Sequence, residues 1–105
     1  MPTDQYHEPP AELAEETRTF ARMIASLQEE AEAIGWYEQR MSLEKDEQAR
    51  SIMEHAQREE FLHFAMSLEY LARRKEKWRV ALQNILFKEG DIVENAESAE
   101  DKVED

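Results

Sequence analysis

Apolar residues recur at alternating spacings of three and four along two long stretches of this chain, and this pattern limits the fold more than any other feature. The first stretch carries Leu13, Phe20, Ile24, Leu27, Ala31 and Ile34. The second stretch carries Ala49, Ile52, Met53, Ala56, Phe64, Leu68 and Leu71. Because this spacing puts apolar side chains on one face of an α-helix, the sequence predicts two long amphipathic helices.

Local signals set the expected limits of these two helices. Residues 1–8 are expected to be disordered, and Pro9 and Pro10 favour a helix start with proline in the first turn. A helix of about 30 residues from that point is about 45 Å long. The apolar pattern lapses around residues 41–45, and Asp46 is suited to cap the second helix. That helix is expected to end near the basic residues 73–75, which suit the negative end of a helix dipole.

The rest of the chain predicts a short helix and a tail. A third helix is expected over residues 78–87, before Gly90. Residues 91–105 contain seven acidic residues and one lysine, which predicts a disordered acidic tail. The expected organisation is therefore a helical hairpin domain over residues 1–90, followed by the tail.

Two long antiparallel helices and a short one cannot close a core alone. Each hairpin helix has only the other to cover its apolar face, and Trp36, Tyr37, Phe61 and Phe64 add surface that one hairpin cannot hide. The sequence therefore predicts an all-α protein that dimerises into a ferritin-like four-helix bundle.

Composition excludes several classes of function. The formal net charge is −12, from 13 basic and 25 acidic residues, which disfavours nucleic acid and favours cations as partners. The chain contains no cysteine, so any metal must be held by Glu, Asp or His. No run approaches the roughly 20 apolar residues of a membrane span, and no signal peptide pattern heads the chain. We expect a soluble, cytoplasmic protein.

Three polar residues interrupt the apolar rows and are the candidate metal ligands. Glu30 lies in a row whose other members are apolar or aromatic, and Glu60 and His63 interrupt the second helix in the same way. If the hairpin folds about residue 45, Glu30 lies 15 residues before the turn and Glu60 lies 15 after it. Both carboxylates then reach the same height.

A two-fold axis at that height would combine the three side chains of two chains. Four carboxylates and two imidazoles are the ligand set of di-iron carboxylate bundles, in which two helices give one Glu each and two give Glu-x-x-His. These ligands suit iron and also accept manganese or zinc. Glu-x-x-His also arises by chance in Glu-rich helices, so its coincidence in height with Glu30 carries the prediction.

Five motifs between residues 7 and 90 form a wider pattern. They are His7-Glu8-Pro9, Glu15-Glu16-Thr17, Glu29-Glu30-x-Glu32-Ala33-x-x-Trp36-Tyr37-x-Gln39-Arg40, Glu59-Glu60-x-x-His63-x-x-Met66 and Leu86-Phe87-x-Glu89-Gly90. This pattern resembles that of the encapsulated ferritins, small ferritin-like proteins carried as cargo inside encapsulin nanocompartments. The resemblance implies a two-helix protomer whose homodimers assemble into a ring-shaped homo-oligomer, a decamer, with ferroxidase centres at the dimer interface.

The resemblance also implies roles for particular residues. Glu30, Glu60 and His63 correspond to the iron ligands of a di-iron centre, with Glu60 bridging the two ions. Tyr37 corresponds to a neighbour of this centre, as a hydrogen-bond donor or a redox partner.

Two further metal sites are implied by the same resemblance. Glu29 and Glu32 match a secondary site that attracts iron towards the centre, and Trp36 matches its neighbour. From the residues alone, the two carboxylates read as a solvated face and the tryptophan as an interface anchor.

His55 and Glu59 match part of an outer-surface metal site. Leu62 stands where that site would have a further carboxylate, so the outer site is weak here. His7 has no helical partner and reads as an ordinary histidine.

The predicted function is a ferroxidase that oxidises Fe(II) to Fe(III) between two subunits and supplies iron for storage inside an encapsulin nanocompartment. The resemblance implies an encapsulin shell protein as partner. Residues 94–105 contain nothing like the family's Gly-, Ser- and Leu-containing targeting peptide, so either the chain is truncated or targeting works differently. Two alternatives stay open: a rubrerythrin-like di-iron peroxidase, and a non-enzymatic helical adaptor whose Glu and His are incidental.

Overall fold

The structure is a computed structural model that describes residues 5–104. Over these residues the chain forms four α-helices and no β-strand, which confirms the all-α class. The helices are α1 (Glu15–Leu43), α2 (Glu47–Ala72), α3 (Glu76–Ile85) and α4 (Ile92–Glu104). The chain divides into two compact units, the first ending at Glu69 and the second beginning at Tyr70.

The start of the chain is less helical than the prolines predicted. Pro10–Glu12 form a single 3-10 turn with proline in its first positions, and Leu13 is extended before α1 begins at Glu15. Of the predicted disordered start, residues 1–4 lie outside the described part, and residues 5–9 belong to no regular helix.

A three-residue turn joins α1 to α2. The Asp46 Oδ2 atom accepts a hydrogen bond from the Ala49 backbone N–H at 2.9 Å, and Glu44 Oε2 accepts one from the Asp46 N–H at 3.1 Å. This confirms Asp46 as the cap of α2, because its carboxylate satisfies a backbone donor that the first helical turn leaves unpaired. So short a turn makes the two helices antiparallel neighbours.

The hairpin of α1 and α2 buries very little apolar surface by itself. Between residues 5 and 69 only Gln57 and Ser67 are buried, and both are polar. The apolar members of the α1 row, such as Leu27 and Ile34, are half-buried. Two helices in isolation can cover each other along one line of contact only, which leaves the flanks of both apolar faces in solvent.

Two residues predicted to face inward do not do so. Ile52 is 61% exposed, and Ala31 is exposed as well. Consecutive residues of a helix are about 100° apart, so Ile52 cannot share the contact line that the half-buried Met53 occupies. The four-three spacing selects Met53, Gln57, Glu60, Phe64, Ser67 and Leu71 as the line of α2 that is buried or half-buried.

The second unit has a small apolar core. Leu71, Ala72 and Ala99 are buried, with exposures of 0%, 3% and 3%. Helices α3 and α4 pack against each other, and the small side chain of Ala99 permits a close approach. The predicted end of α2 near the basic residues 73–75 is confirmed, since the helix stops at Ala72, but its last turn contains no basic residue.

The prediction of a disordered acidic tail is wrong for residues 92–104, which form α4. The acidic composition hid an apolar row at four-three spacing: Ala96, Ala99 and Val103 are buried or half-buried. Asp91 Oδ1 accepts a hydrogen bond from the Glu94 N–H at 3.0 Å and so caps the helix. Lys102 Nζ donates to Asn84 Oδ1 at 3.2 Å and ties α4 to α3.

The third helix is shifted from its predicted limits of 78–87, because it begins at Glu76 and ends at Ile85. Phe87 follows with a φ of 60° and is fully exposed, and Gly90 has a φ of 96°. Helix α3 has already ended, because Leu86 is extended with φ −72° and ψ 139°. The left-handed backbone of Phe87 and Gly90 then turns the chain before α4. None of the helices in residues 5–104 combines the length and apolarity needed to cross a bilayer.

Candidate metal centre

One buried side chain fixes the register of α1 against α2. Gln57 is 7% exposed, and its Nε2 donates to the Ile34 carbonyl oxygen at 3.2 Å and to Glu38 Oε1 at 3.0 Å. Glu30 precedes Ile34 by four residues, about 6 Å of helix, and Glu60 follows Gln57 by three, about 4.5 Å. Both displacements point away from the turn in an antiparallel hairpin. The contact therefore places Glu30 at a height between Glu60 and His63, as the sequence predicted from folding about residue 45.

Glu60 and His63 lie together on α2. Their Oε1 and Nδ1 atoms are 3.6 Å apart, and the two side chains are 23% and 45% exposed. Residues three apart on a helix are neighbours on its surface, so the pair forms without distortion. The carboxylate is the more buried of the two, because Glu60 belongs to the contact line of α2 and His63 lies on its flank.

Glu30 supplies a buried acceptor without a partner. Its Oε1 atom is buried and makes no hydrogen bond within residues 5–104. A carboxylate oxygen removed from water without a compensating donor or cation is unfavourable by several kcal/mol, on the order of the desolvation of a polar group. The environment of this oxygen is therefore suited to a positively charged partner that the described residues do not supply.

The described residues of one chain do not form a complete metal site. Between residues 5 and 104, no three carboxylate or imidazole side chains lie close enough together to hold a metal ion. The structure thus brings Glu60 and His63 together, and it leaves Glu30 at the same height but outside a three-ligand cluster.

Tyr37 lies two helical turns from Glu30 on α1, about 10 Å along the axis, and is half-buried. The Arg40 guanidinium stands 5.4 Å from the centroid of its ring. Within one chain this tyrosine therefore shares the face of Glu30 but lies near the height of Glu54, closer to the turn.

Glu29, Glu32 and Trp36 lie on the exposed side of α1. Both carboxylates are exposed and one turn apart, and Trp36 is 50% exposed one turn beyond Glu32. Trp36 lines an open groove of about 260 Å³ together with Gln39 and Arg40. The three residues thus share one surface, which is accessible to ions in solution.

His55 and Glu59 face solvent on α2. His55 Nε2 and Glu59 Oε1 are 3.9 Å apart, and the side chains are 69% and 50% exposed. Leu62, 61% exposed, follows on the same row. An apolar side chain at that position cannot bind a metal ion. Among the described residues, this surface therefore offers only the His55 nitrogen and the Glu59 carboxylate as metal ligands.

Sequence reasoning missed Gln57 and Glu38. The signal was present: Gln57 falls on the four-three row of α2 directly before Glu60, and it is as polar an exception there as Glu60 itself. Its partner Glu38 continues the row of Leu27, Ala31 and Ile34 on α1, but the row alone does not show that Glu38 pairs with Gln57.

Comparison with known proteins finds relatives that are similar to this chain in sequence. A family model described as EncFtn-like matches residues 5–89. A ferritin-like protein of Thermotoga maritima is 48% identical over 91 residues, which are 87% of this chain and 80% of that protein. An encapsulated ferritin-like protein of Rhodospirillum rubrum is 43% identical over 95 residues, 89% of this chain and 68% of that protein.

A solved structure agrees with these matches. The crystal structure of a protein from Nitrosomonas europaea is similar with a TM-score of 0.81 and 40% identity, over 85% of this chain and 98% of that one. The matched region of the family model contains every residue of the candidate centre.

Proposed function

Because the chain belongs to the EncFtn-like family, we propose that it is a ferroxidase, which oxidises Fe(II) to Fe(III) at a di-iron centre formed between two copies of the chain. Iron is the substrate here. Glu30, Glu60 and His63 of each copy would hold it.

The observation that carries the proposal is the buried Oε1 of Glu30, which has no partner among the described residues. It lies at the height of the Glu60–His63 pair, on the neighbouring helix of the same hairpin. Carboxylate and imidazole donors in this combination fit iron, and a cation removes the unfavourable desolvation of a carboxylate that has no hydrogen-bond donor.

A second copy would complete the ligand set. One chain offers two carboxylates and one imidazole, and a two-fold axis beside Glu30 and Glu60 doubles this to four carboxylates and two imidazoles, the set found in di-iron bundles. The exposed apolar side chains of the hairpin, among them Trp36 at 50% and Phe61 at 49%, favour the same association. Two hairpins together would make the four-helix bundle.

The chemistry needs little more from the protein than position and charge. Two Fe(II) ions held side by side would give up one electron each, and one dioxygen molecule would take up both electrons and two protons and leave as hydrogen peroxide. Glu30 and Glu60 offset the rise in positive charge as Fe(III) forms, and His63 fixes one ion through a neutral nitrogen donor. Glu29 and Glu32 would concentrate Fe(II) at the exposed surface of α1.

The similarity to an encapsulated ferritin-like protein supports a cellular role for this chain. The Rhodospirillum rubrum relative is named as an encapsulated protein, and we place this chain in the same setting: a ring-shaped homo-oligomer inside an encapsulin shell, where it delivers Fe(III) for storage.

The test measures the rate of Fe(II) oxidation by the variants Glu30→Ala, Glu60→Ala and His63→Ala. Oxygen consumption reports the rate. Each variant should lose at least about 10- to 100-fold in rate, the loss that is typical even for residues that only support a metal ligand. Glu16→Ala and His7→Ala change the same residue types at exposed positions and should keep the wild-type rate. Wild-type rates in all three ligand variants would refute the site.

Native mass spectrometry with and without Fe(II) separates the alternatives. The proposal requires two irons for each pair of chains and an even-numbered assembly. Assembly that is independent of iron, with none bound, would favour the helical adaptor. Faster turnover with peroxide than with dioxygen would favour the rubrerythrin-like peroxidase.

A further inference from the structure

The hairpin contains a polar contact that the proposed reaction does not use directly. Gln57 is the more central of the two buried residues in the first unit, and its Nε2 bridges to two groups of α1, the Ile34 carbonyl and the Glu38 carboxylate. A buried polar group is unfavourable unless it is hydrogen-bonded. A shift of one helix along the other would break both bonds of Gln57, so this residue favours the observed register.

The apolar contacts of the hairpin cannot set the register as sharply. No apolar residue between positions 5 and 69 is buried. Half-covered side chains pack almost equally well after a small rotation or shift of one helix, because few of their contacts are lost. A buried polar residue on an apolar helix seam is a known device for selecting one register, with coiled-coil asparagines as the best example.

Distance along the hairpin shows why this matters for the ligands. The α1–α2 turn lies about 21 Å from Glu30 and Glu60, at 1.5 Å per residue. A change of about 10° in the angle between the helices, pivoting at the turn, moves the ligands apart by about 4 Å. Pivoting at Gln57, only about 5 Å away, the same change moves them by about 1 Å.

We propose that Gln57 is a positioning residue that holds Glu30 against the Glu60–His63 pair by its hydrogen bonds to Ile34 and Glu38. This inference rests on the proposed function for its effect on rate, but its structural part stands by itself. The hydrogen bonds of Gln57 go to Ile34 and Glu38 rather than to the candidate ligands, so Gln57 acts through the spacing of α1 and α2.

The variant Gln57→Met keeps the length and helix propensity of the side chain and removes both hydrogen bonds. Its control is Gln48→Met, the same substitution at an exposed position of α2. A second variant, Glu38→Leu, removes one of the two acceptors, and Glu38→Gln restores an amide oxygen that can accept the same bond.

The distance between the helices is read by electron–electron double resonance. The chain has no cysteine, so Gln28→Cys and Leu62→Cys place spin labels only at two exposed positions near the height of the ligands. Dilution with unlabelled chain isolates the distance within one hairpin. Gln57→Met should broaden or shift this distance by about 2–4 Å, whereas Gln48→Met should not.

The rate of Fe(II) oxidation and the visible absorption of bound Co(II) are measured on the unlabelled variants. Gln57→Met should lower kcat by about 10- to 100-fold and change the Co(II) bands. Glu38→Leu should give a smaller change of the same kind, and Glu38→Gln should recover the wild-type values. If Gln57→Met left the spin-label distance unchanged, the proposal would be overturned, whether or not its kcat fell. A changed distance with wild-type kcat and wild-type Co(II) bands would overturn it as well.

Two remaining outcomes are also decisive. If Gln57→Met does not fold, the pair Glu38→Leu and Glu38→Gln decides by the same distance and rate, and equal values for both would overturn the proposal. If the wild-type chain does not oxidise Fe(II), the proposed function fails, whereas the spin-label distance still decides whether Gln57 holds the two helices in register.

Discussion

The two compact units of this chain bury different kinds of residue. The first, up to Glu69, buries Gln57 and Ser67, whereas the second, from Tyr70, buries Leu71, Ala72 and Ala99 among the described residues. The second unit therefore gains stability from apolar burial within one chain, and the first leaves its apolar faces for another surface. All of the candidate metal ligands belong to the first unit. The proposed site between two copies would therefore be built on the unit that lacks a core of its own.

The largest expected effect tests the core directly. Leu71→Ala removes a side chain that is fully buried and should lower the free energy of unfolding by about 2–5 kcal/mol. Leu43→Ala makes the same change in the hairpin at a residue that is 82% exposed, and should change it by about 0.5 kcal/mol or less. Urea unfolding followed by circular dichroism measures both. If both variants lost the same free energy of unfolding, Leu43 would be buried by another copy of the chain. The hairpin tip would then be stabilised by association, and the second unit by its own core.

The next largest effect is expected from Fe(II) binding, which should stabilise the first unit and leave the second unit unchanged. Anaerobic Fe(II) at about 100 times its dissociation constant should stabilise the folded state by about 2.7 kcal/mol, because it binds the folded hairpin only. Hydrogen exchange should slow around Glu30 and Glu60 and stay unchanged across α3 and α4. The Glu30→Ala variant serves as the control, and slowing of α4 in the wild type would contradict a site confined to the hairpin.

The sequence predicted the hairpin better than it predicted the second unit, for a physical reason. A four-three apolar row over many residues and an Asp cap at the turn are local signals, and both α1–α2 and the common height of Glu30 and Glu60 follow from them. In α4 the row consists of alanines and a valine among acids, so composition outweighed periodicity and the helix was missed. The role of Gln57 depends on Glu38, which continues the apolar row of α1, but the pairing of these two residues gives no signal before the helices are docked.

Two aspartate caps offer a closer match between the units. Asp46→Ala and Asp91→Ala each remove the side-chain acceptor of a helix N-terminus, from Ala49 in the hairpin and from Glu94 in α4. Each should lower the free energy of unfolding by about 0.5–2 kcal/mol, and the corresponding Asn variants should recover most of it. Exchange should accelerate at the start of α2 in one and of α4 in the other. If Asp91→Ala left the exchange of α4 unchanged, the cap would contribute nothing to that helix.

The smallest expected difference compares two arginines that each stack on a tyrosine four or three residues earlier. Arg74 lies 3.5 Å from the ring centroid of Tyr70, whereas Arg40 lies 5.4 Å from that of Tyr37. Since the attraction between a cation and a ring weakens with distance, the first pair should contribute about 0.5–1 kcal/mol and the second less. Double-mutant cycles with Arg→Met and Tyr→Leu measure each coupling free energy separately from the hydrogen bond that Arg74 also donates to the Tyr70 carbonyl. A larger coupling in the hairpin would reverse the comparison, because it would mean that association of the hairpin brings Arg40 closer to Tyr37 than the single chain does.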